Sequence, residues 1–253
     1  MLDDYILPDD KQEWRLNTAD IRNLLLSDYS ERPFQPMIEI RGASFVADAP
    51  SIIGDPNQPY IDRELEWYES QSLNIKDLPG NTPQMWRRTA NEAGEINSNY
   101  GWVFWSTANG DQFGNVVKEL KRDYASRRAL AIYTRPTMHE DQRLGGTGQD
   151  FMCTNAVSYA IDADLETLNV VVQMRSNDVI FGYPNDYAWQ KHAAEYVLAD
   201  LQQVYPHLHM GQILWQAMSL HVYPRHYHLL RAAAKANHKP ATVHLLDVNR
   251  AAA

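Results

Sequence analysis

Two periods run through the apolar and polar positions of this chain. In YIDRELEWYESQ, Ile61, Leu65 and Tyr68 recur at i, i+4 and i+7, the stripe of one helix face, and Glu64 lies beside it. QFGNVVKELKRD repeats the pattern with Phe113, Val116, Val117 and Leu120. TADIRNLLLS predicts a short helix with Thr18 as its N-cap. DYAWQKHAAEYVLADLQQVY predicts a long helix with few breakers, and RHYHLLRAAAKA a last one. The other period is two. MIEIRGASFV alternates and predicts a strand, ALAIYT reads as a buried strand, and QILWQAMSLHVY as another. DFMCTNAVSYAI and LNVVVQMR are strand-like runs joined by the turn-forming DADLET, which predicts a hairpin.

Helices and strands therefore interleave, but the hairpin argues against a purely parallel sheet. The expected class is α+β. ADAPSIIGDPNQP reads as a surface loop, and RLGGTGQD as a flexible loop that lacks the GxxxxGK[ST] spacing of a phosphate loop. No repeat or linker divides the chain, so residues 1–253 are expected to form one domain.

Composition narrows the function. The single cysteine, Cys153, excludes an intramolecular disulfide and any site built on several thiolates, and it favours a reducing, cytoplasmic setting. The acidic N-terminus does not read as a signal peptide, and no apolar run is long enough to predict a membrane span. A net charge of −9 disfavours a nucleic-acid polymer as partner, so a bound anion would need a local arginine cluster. With 7 Trp and 14 Tyr, the chain has either a thick aromatic core or a stacking site, and core is the commoner outcome.

Three constellations carry candidate chemistry, each with a plain alternative. Arg127 and Arg128 fall between a helix and a strand, as a solvated corner or a phosphate fork. In QMRSNDVIFGYPNDYAW, Arg175, Ser176, Asn177 and Asp178 crowd a strand end, and Gly182 and Pro184 follow. There Asp186 opens the long helix, with Asn185 or Asp186 as an N-cap weighing evenly against a ligand role. His221 and Tyr223 share one side of a strand, as a polar pair or a satisfied core pair. No HExxH, GxSxG or cysteine-protease signature is present. Cys153 alone reads more readily as core filler than as a nucleophile.

Seven collinear blocks change that balance: IRGASFVADAP, YIDRELEWYESQSL, GEINSNYGW, SRRALAIYTRP, DFMCTNAVSYAI, MRSNDVIFGYPNDYAWQ and SLHVYPRHYHL. Together they resemble the thymidylate synthase superfamily, and within it the phage-type deoxycytidylate hydroxymethylases. The similarity spans about residues 38 to 230, while residues 1–36 and the tail from 236 match nothing in the pattern. The resemblance implies a large mixed sheet flanked by helices. It also implies transfer of a one-carbon unit from 5,10-methylenetetrahydrofolate to carbon 5 of a pyrimidine nucleotide. On that resemblance Cys153 is the nucleophile that adds to carbon 6 of the ring, and Arg175 supplies the positive charge a thiolate needs. Glu64 organises proton transfers and activates water, and Tyr100 takes part in removing the carbon 5 proton. Arg175 and Ser176 hold the phosphate, joined by Arg127 and Arg128 from the other subunit of a homodimer. His221 and Tyr223 hold the sugar 3′-hydroxyl. Trp86, Asp178 and Gly182 fall at the folate.

Uracil-specific members carry Asn where this chain has Asp186. A carboxyl accepts from the exocyclic amine of cytosine and pairs with a proton on nitrogen 3, so the resemblance implies dCMP. Thr154 replaces the histidine that follows the nucleophile in typical synthases. Their phosphate loop is not evident near Arg41, and LLDVNRAAA does not resemble their apolar closing tail. Water addition to give 5-hydroxymethyl-dCMP is favoured over hydride transfer to give 5-methyl-dCMP. A non-catalytic nucleotide-binding relative is the remaining alternative, and the retained thiol speaks against it.

Overall fold

Phe45, Trp215, Val172, Val157 and Ala131 stand side by side on five neighbouring strands, and every one is buried. This row marks the inner face of the sheet in a computed structural model that describes residues 15–139 and 150–237. The strands are β1 (Ile38–Val46), β2 (Leu130–Ile132), β3 (Thr154–Ile161), β4 (Thr167–Met174) and β6 (His209–Val222), in the order β1-β6-β4-β3-β2. A two-residue strand, β5 (Asn177–Asp178), pairs with the far end of β6. β6 runs parallel to β4 and β5, and the other pairings are antiparallel. The sheet is therefore mixed and the class is α+β. The hairpin between β3 and β4 forms as the pattern predicts. RLGGTGQD, apart from Asp150, and the tail LLDVNRAAA lie outside the described residues.

One position along, the same register gives Ser44, Gln216, Gln173, Ala156 and Ile132. Ser44, Gln216, Gln173 and Ile132 are exposed. Period two thus separates a core face from an open one.

Seven helices are described: α1 (Thr18–Glu31), α2 (Gln58–Glu69), α3 (Gln84–Thr89), α4 (Tyr100–Trp105), α5 (Gln112–Arg122), α6 (Gly182–Leu201) and α7 (Tyr227–Asn237). α6 buries Trp189, Gln190, Ala193, Ala194, Val197 and Leu201 at helical spacing. Around Trp189 gather Tyr68, Tyr100, Phe104 and Trp105. The aromatic load is thus largely a core, with Trp189 Nε1 donating to Tyr133 OH at 3.0 Å.

Several expectations are corrected. The N-cap of α1 is Asn17, not Thr18: its Oδ1 accepts from Ala19 N and Asp20 N, and Asp20 reaches back to Asn17 N. β2 is an edge strand rather than a buried one, with Leu130 37% and Ile132 50% exposed. α6 begins at Gly182 behind Phe181, so neither Asn185 nor Asp186 is its cap. Pro184 fits in this first turn, where no helical donor is lost. β3 begins at Thr154, so Cys153 precedes the strand.

Candidate active site

Cys153 sits at a bend just before β3, and a bulge between Thr154 and Ala156 follows at once. Bulges re-aim neighbouring side chains, and here the thiol stays partly exposed while packing on the core. Arg175 leaves the end of β4 and turns back across this bend. Its Nε donates to Met152 O at 2.8 Å, an Nη donates to Phe151 O at 2.5 Å, and the same nitrogen lies 3.8 Å from Cys153 Sγ. Its backbone N donates to Cys153 O at 2.9 Å. Burial, reinforced by the charge of Asp186, pushes the thiol up to about 11, and Arg175 opposes that rise.

Asp186 lies in the second turn of α6. Its Oδ2 accepts from Asn177 Nδ2 at 2.7 Å. The hydroxyl of Tyr100, the first residue of α4, also favours the charged form of this carboxyl. Thr154 Oγ1 donates to Tyr100 OH at 3.1 Å. Desolvation, then the charge of Glu64, pushes Asp186 up to about 8 despite these donors.

Glu64 is buried, and it belongs to the apolar stripe of α2 rather than lying beside it. Ile61, Trp67 and Tyr68 share that buried face, while Leu65 is only half-buried. Tyr60, one turn earlier, donates its hydroxyl to Glu64 Oε1 at 2.5 Å, and Trp86 Nε1 donates to that hydroxyl at 2.9 Å. Burial pushes Glu64 up to about 7, and the hydrogen bonds of Tyr60, Trp86 and Tyr68 hold it from rising further. Glu64, Asp186 and Cys153 thus form one electrostatically linked group whose charges are each disfavoured by burial. Such a group can hold and pass protons near neutrality.

The remaining candidates divide. β4 and β5 follow one another along β6, and Arg175 and Ser176 occupy the break between them. Asp178 pairs in register with His221, whose ring meets Tyr223 edge-on at 4.8 Å. His221 is buried and its Nδ1 lies 3.2 Å from Ser219 Oγ. Asp178 Oδ1 accepts from Ile180 N at 3.0 Å. Gly182 faces the same cluster: a Cβ there would stand 3.2 Å from Asn177 Nδ2 and 3.4 Å from Asp178 Cβ. Arg127 and Arg128 are exposed on the connection from α5 to β2, apart from this cluster. Arg41 pairs with Glu39 at 2.8 Å on exposed β1 surface.

Three participants were not singled out from sequence. Tyr60 stands four residues before Glu64, a spacing that puts both on one helix face. Asn177 was visible only as part of a polar crowd. Thr154 was noted as a departure, and its bond to Tyr100 depends on two distant segments meeting. Among the described residues, no group of three or more His, Cys, Asp or Glu could hold a metal ion.

Comparison with known proteins gives a consistent result. The thymidylate synthase family matches residues 58–252. Deoxycytidylate 5-hydroxymethyltransferases of Enterobacteria phages T6 and T4 are each 51% identical over 195 residues, covering 76% of this chain and 78% of theirs. A thymidylate synthase of Buchnera aphidicola is 28% identical over 178 residues, 68% of this chain and 62% of that one. Among solved structures, thermostable thymidylate synthase A from Bacillus subtilis shares the fold, with a TM-score of 0.56 and 20% identity over 79% of this chain and 71% of that chain.

Proposed function

This chain belongs to the thymidylate synthase family, and from that membership we propose that it is a deoxycytidylate 5-hydroxymethyltransferase. It transfers a one-carbon unit from 5,10-methylenetetrahydrofolate to carbon 5 of dCMP, and water completes 5-hydroxymethyl-dCMP. One observation carries the reading: a carboxyl that favours its protonated form, Asp186, lies in the same cluster as the Cys153–Arg175 pair. Cytosine offers an acceptor at nitrogen 3 beside an amine donor. A protonated carboxyl answers both, giving its proton to nitrogen 3 and accepting from the amine.

That proton draws electrons from the ring and makes carbon 6 more electrophilic. Cys153 Sγ adds to carbon 6, with its negative charge favoured by Arg175. The electron pair released to carbon 5 would bond the one-carbon unit, whose bond to the folate nitrogen breaks so that tetrahydrofolate leaves and water adds to the transferred carbon. Tyr100, buried and held by the hydrogen bond from Thr154, takes part in removal of the carbon 5 proton. Glu64 accepts and returns protons, with Tyr60 and Trp86 holding its carboxyl in place. Cys153 leaves when the product forms.

The residues at the folate position fit such a group. Trp86 offers a half-buried indole tied to Tyr60, Asp178 a carboxylate for ring N–H donors, and Phe181 an exposed ring beside Gly182. Folate, when bound, supplies the methylene carbon. Arg175 and Ser176 hold the phosphate, and His221 and Tyr223 the sugar hydroxyl.

The working unit of this reading is a homodimer of single-domain chains. The open sheet face supports it, with a shallow depression lined by residues including Ser44, Gln173, Gln216 and Met218. Arg127 and Arg128, exposed beyond the edge strand, reach the partner's phosphate. Mass spectrometry of the product tests the assignment. A hydroxymethyl nucleotide is expected; a methyl nucleotide with dihydrofolate would reassign the last step. Failure to release tritium from carbon 5 of dCMP in the presence of the folate would remove the enzyme reading.

A further inference from the structure

Asn177 follows the Arg175–Ser176 pair, yet its side chain turns inward and the residue is 2% exposed. Its Nδ2 donates to Asp186 Oδ2 at 2.7 Å, and its Oδ1 accepts from Trp215 Nε1 at 3.2 Å. An indole N–H can only donate. Trp215, fully buried on β6, therefore obliges Asn177 to present its carbonyl to the indole and its amide to Asp186. A flipped amide would set donor against donor at one end and lose the donor to Asp186 at the other. Gly182 leaves room for this arrangement, since a Cβ there would crowd Asn177 Nδ2 at 3.2 Å.

We propose that Asn177, oriented by Trp215, is a positioning residue that fixes the proton of Asp186 on Oδ1 and so makes this carboxyl read cytosine in preference to uracil. The inference rests on the base assignment proposed above. A carboxylic acid donates from one oxygen and accepts at the other. Left free, it exchanges these roles and suits either base, because uracil presents the donor and acceptor of cytosine in reverse order. Oδ2 is committed to accepting from Asn177, so the proton resides on Oδ1. With the proton held there, the unwanted base meets donor with donor and acceptor with acceptor.

Equilibrium binding of dCMP and of dUMP to the folate-free protein tests this in the parent and three variants. Asn177→Asp places an acceptor opposite Oδ2 and draws the proton across. It is expected to lower the dCMP-to-dUMP affinity ratio by roughly tenfold or more. Trp215→Phe frees the amide to turn, and a smaller fall in the ratio is expected. Trp215 is buried and stands behind Asn177, so a mere packing defect would weaken both nucleotides alike. An unchanged ratio in both variants overturns the proposal, and should Asn177→Asp not fold, Trp215→Phe alone decides. Asp186→Asn separates the two levels of inference. A parent-like ratio in that variant defeats the base assignment itself. A shifted ratio there, with none in the other two, defeats only the role of Asn177.

Discussion

Cys153 meets opposing influences that mutation can separate. Burial and Asp186 disfavour its thiolate, and Arg175 favours it. Asp186→Asn is therefore expected to speed alkylation of Cys153 by iodoacetamide several-fold at about pH 8, and Arg175→Ala to slow it. The opposite pair of changes would show that the thiol ionises independently of these charges. The two carboxyls set a pH profile of kcat/KM for dCMP. It should rise through about 7 as Glu64 ionises and fall above about 8 as Asp186 loses the proton it is proposed to give to cytosine. Glu64 also carries a stability consequence. Folded, it keeps its proton to about 7, whereas its ordinary value is 4.5, so the unfolded chain ionises first and stability falls as pH rises between those values. Glu64→Gln should abolish turnover yet raise Tm by roughly 2–4 °C at about pH 8. At this scale the chain spoke unevenly. Cys153 and Glu64 looked like a core thiol and a helix carboxylate until collinear blocks set them in order. No local pattern marks Thr154 or Asn177, because their partners are distant in sequence.

The helices hold these side chains through close backbone contact. At Gly101, in the first turn of α4, a Cβ would stand 1.7 Å from Tyr68 O near the end of α2. α2 carries Glu64 and α4 carries Tyr100, so this contact sets one against the other. Gly101→Ala must force the helices apart, with an expected loss of roughly 1–3 kcal/mol measured by denaturant unfolding, together with lower kcat. Unaltered stability would mean that α4 shifts freely. Asp150 ties the same region together from the other side, accepting from Asn97 N at 2.6 Å, Ser98 N at 2.7 Å and Ser98 Oγ at 2.6 Å. Most elements were legible because their apolar stripes face one core. Periodicity failed where site chemistry interrupts it. Gly182, Pro184 and Asn185, which read as turn formers, hid the first turn of α6, and the bulge after Cys153 hid where β3 begins. β2 looked buried because Leu130 and Ile132 are apolar, although both lie on the open side of an edge strand.

The molecule as a whole presents one sheet face to the core and leaves the other open. If that open face joins two chains and Arg127 and Arg128 serve the partner's site, each site draws on both subunits. Cys153→Ala and the double variant Arg127→Ala with Arg128→Ala should then be nearly inactive alone. Mixed and allowed to exchange subunits, they should recover about a quarter of parent activity, because half the dimers are mixed and each of those has one intact site. No recovery, with exchange verified, would place the arginines in their own subunit. Periodicity distinguishes covered from uncovered positions and not what covers them, so a dimer is not something it can read.

The position of β6 bears on how the chain is made. β6 is the central partner of both β1 and β4, yet it follows them all in the sequence. As the polypeptide leaves the ribosome, β1 emerges early and waits with its edge unpaired until β6 arrives and sets Trp215 beside Phe45. A nascent chain halted before residue 209 holds the β3–β4 hairpin but has no strand to link it with β1. Such a chain should bind chaperones and aggregate, while one extended past residue 222 can close the sheet. Arg175 and Asp186 are synthesised before that closure, so the cluster proposed to be catalytic is complete in sequence well before it has a full sheet to stand on.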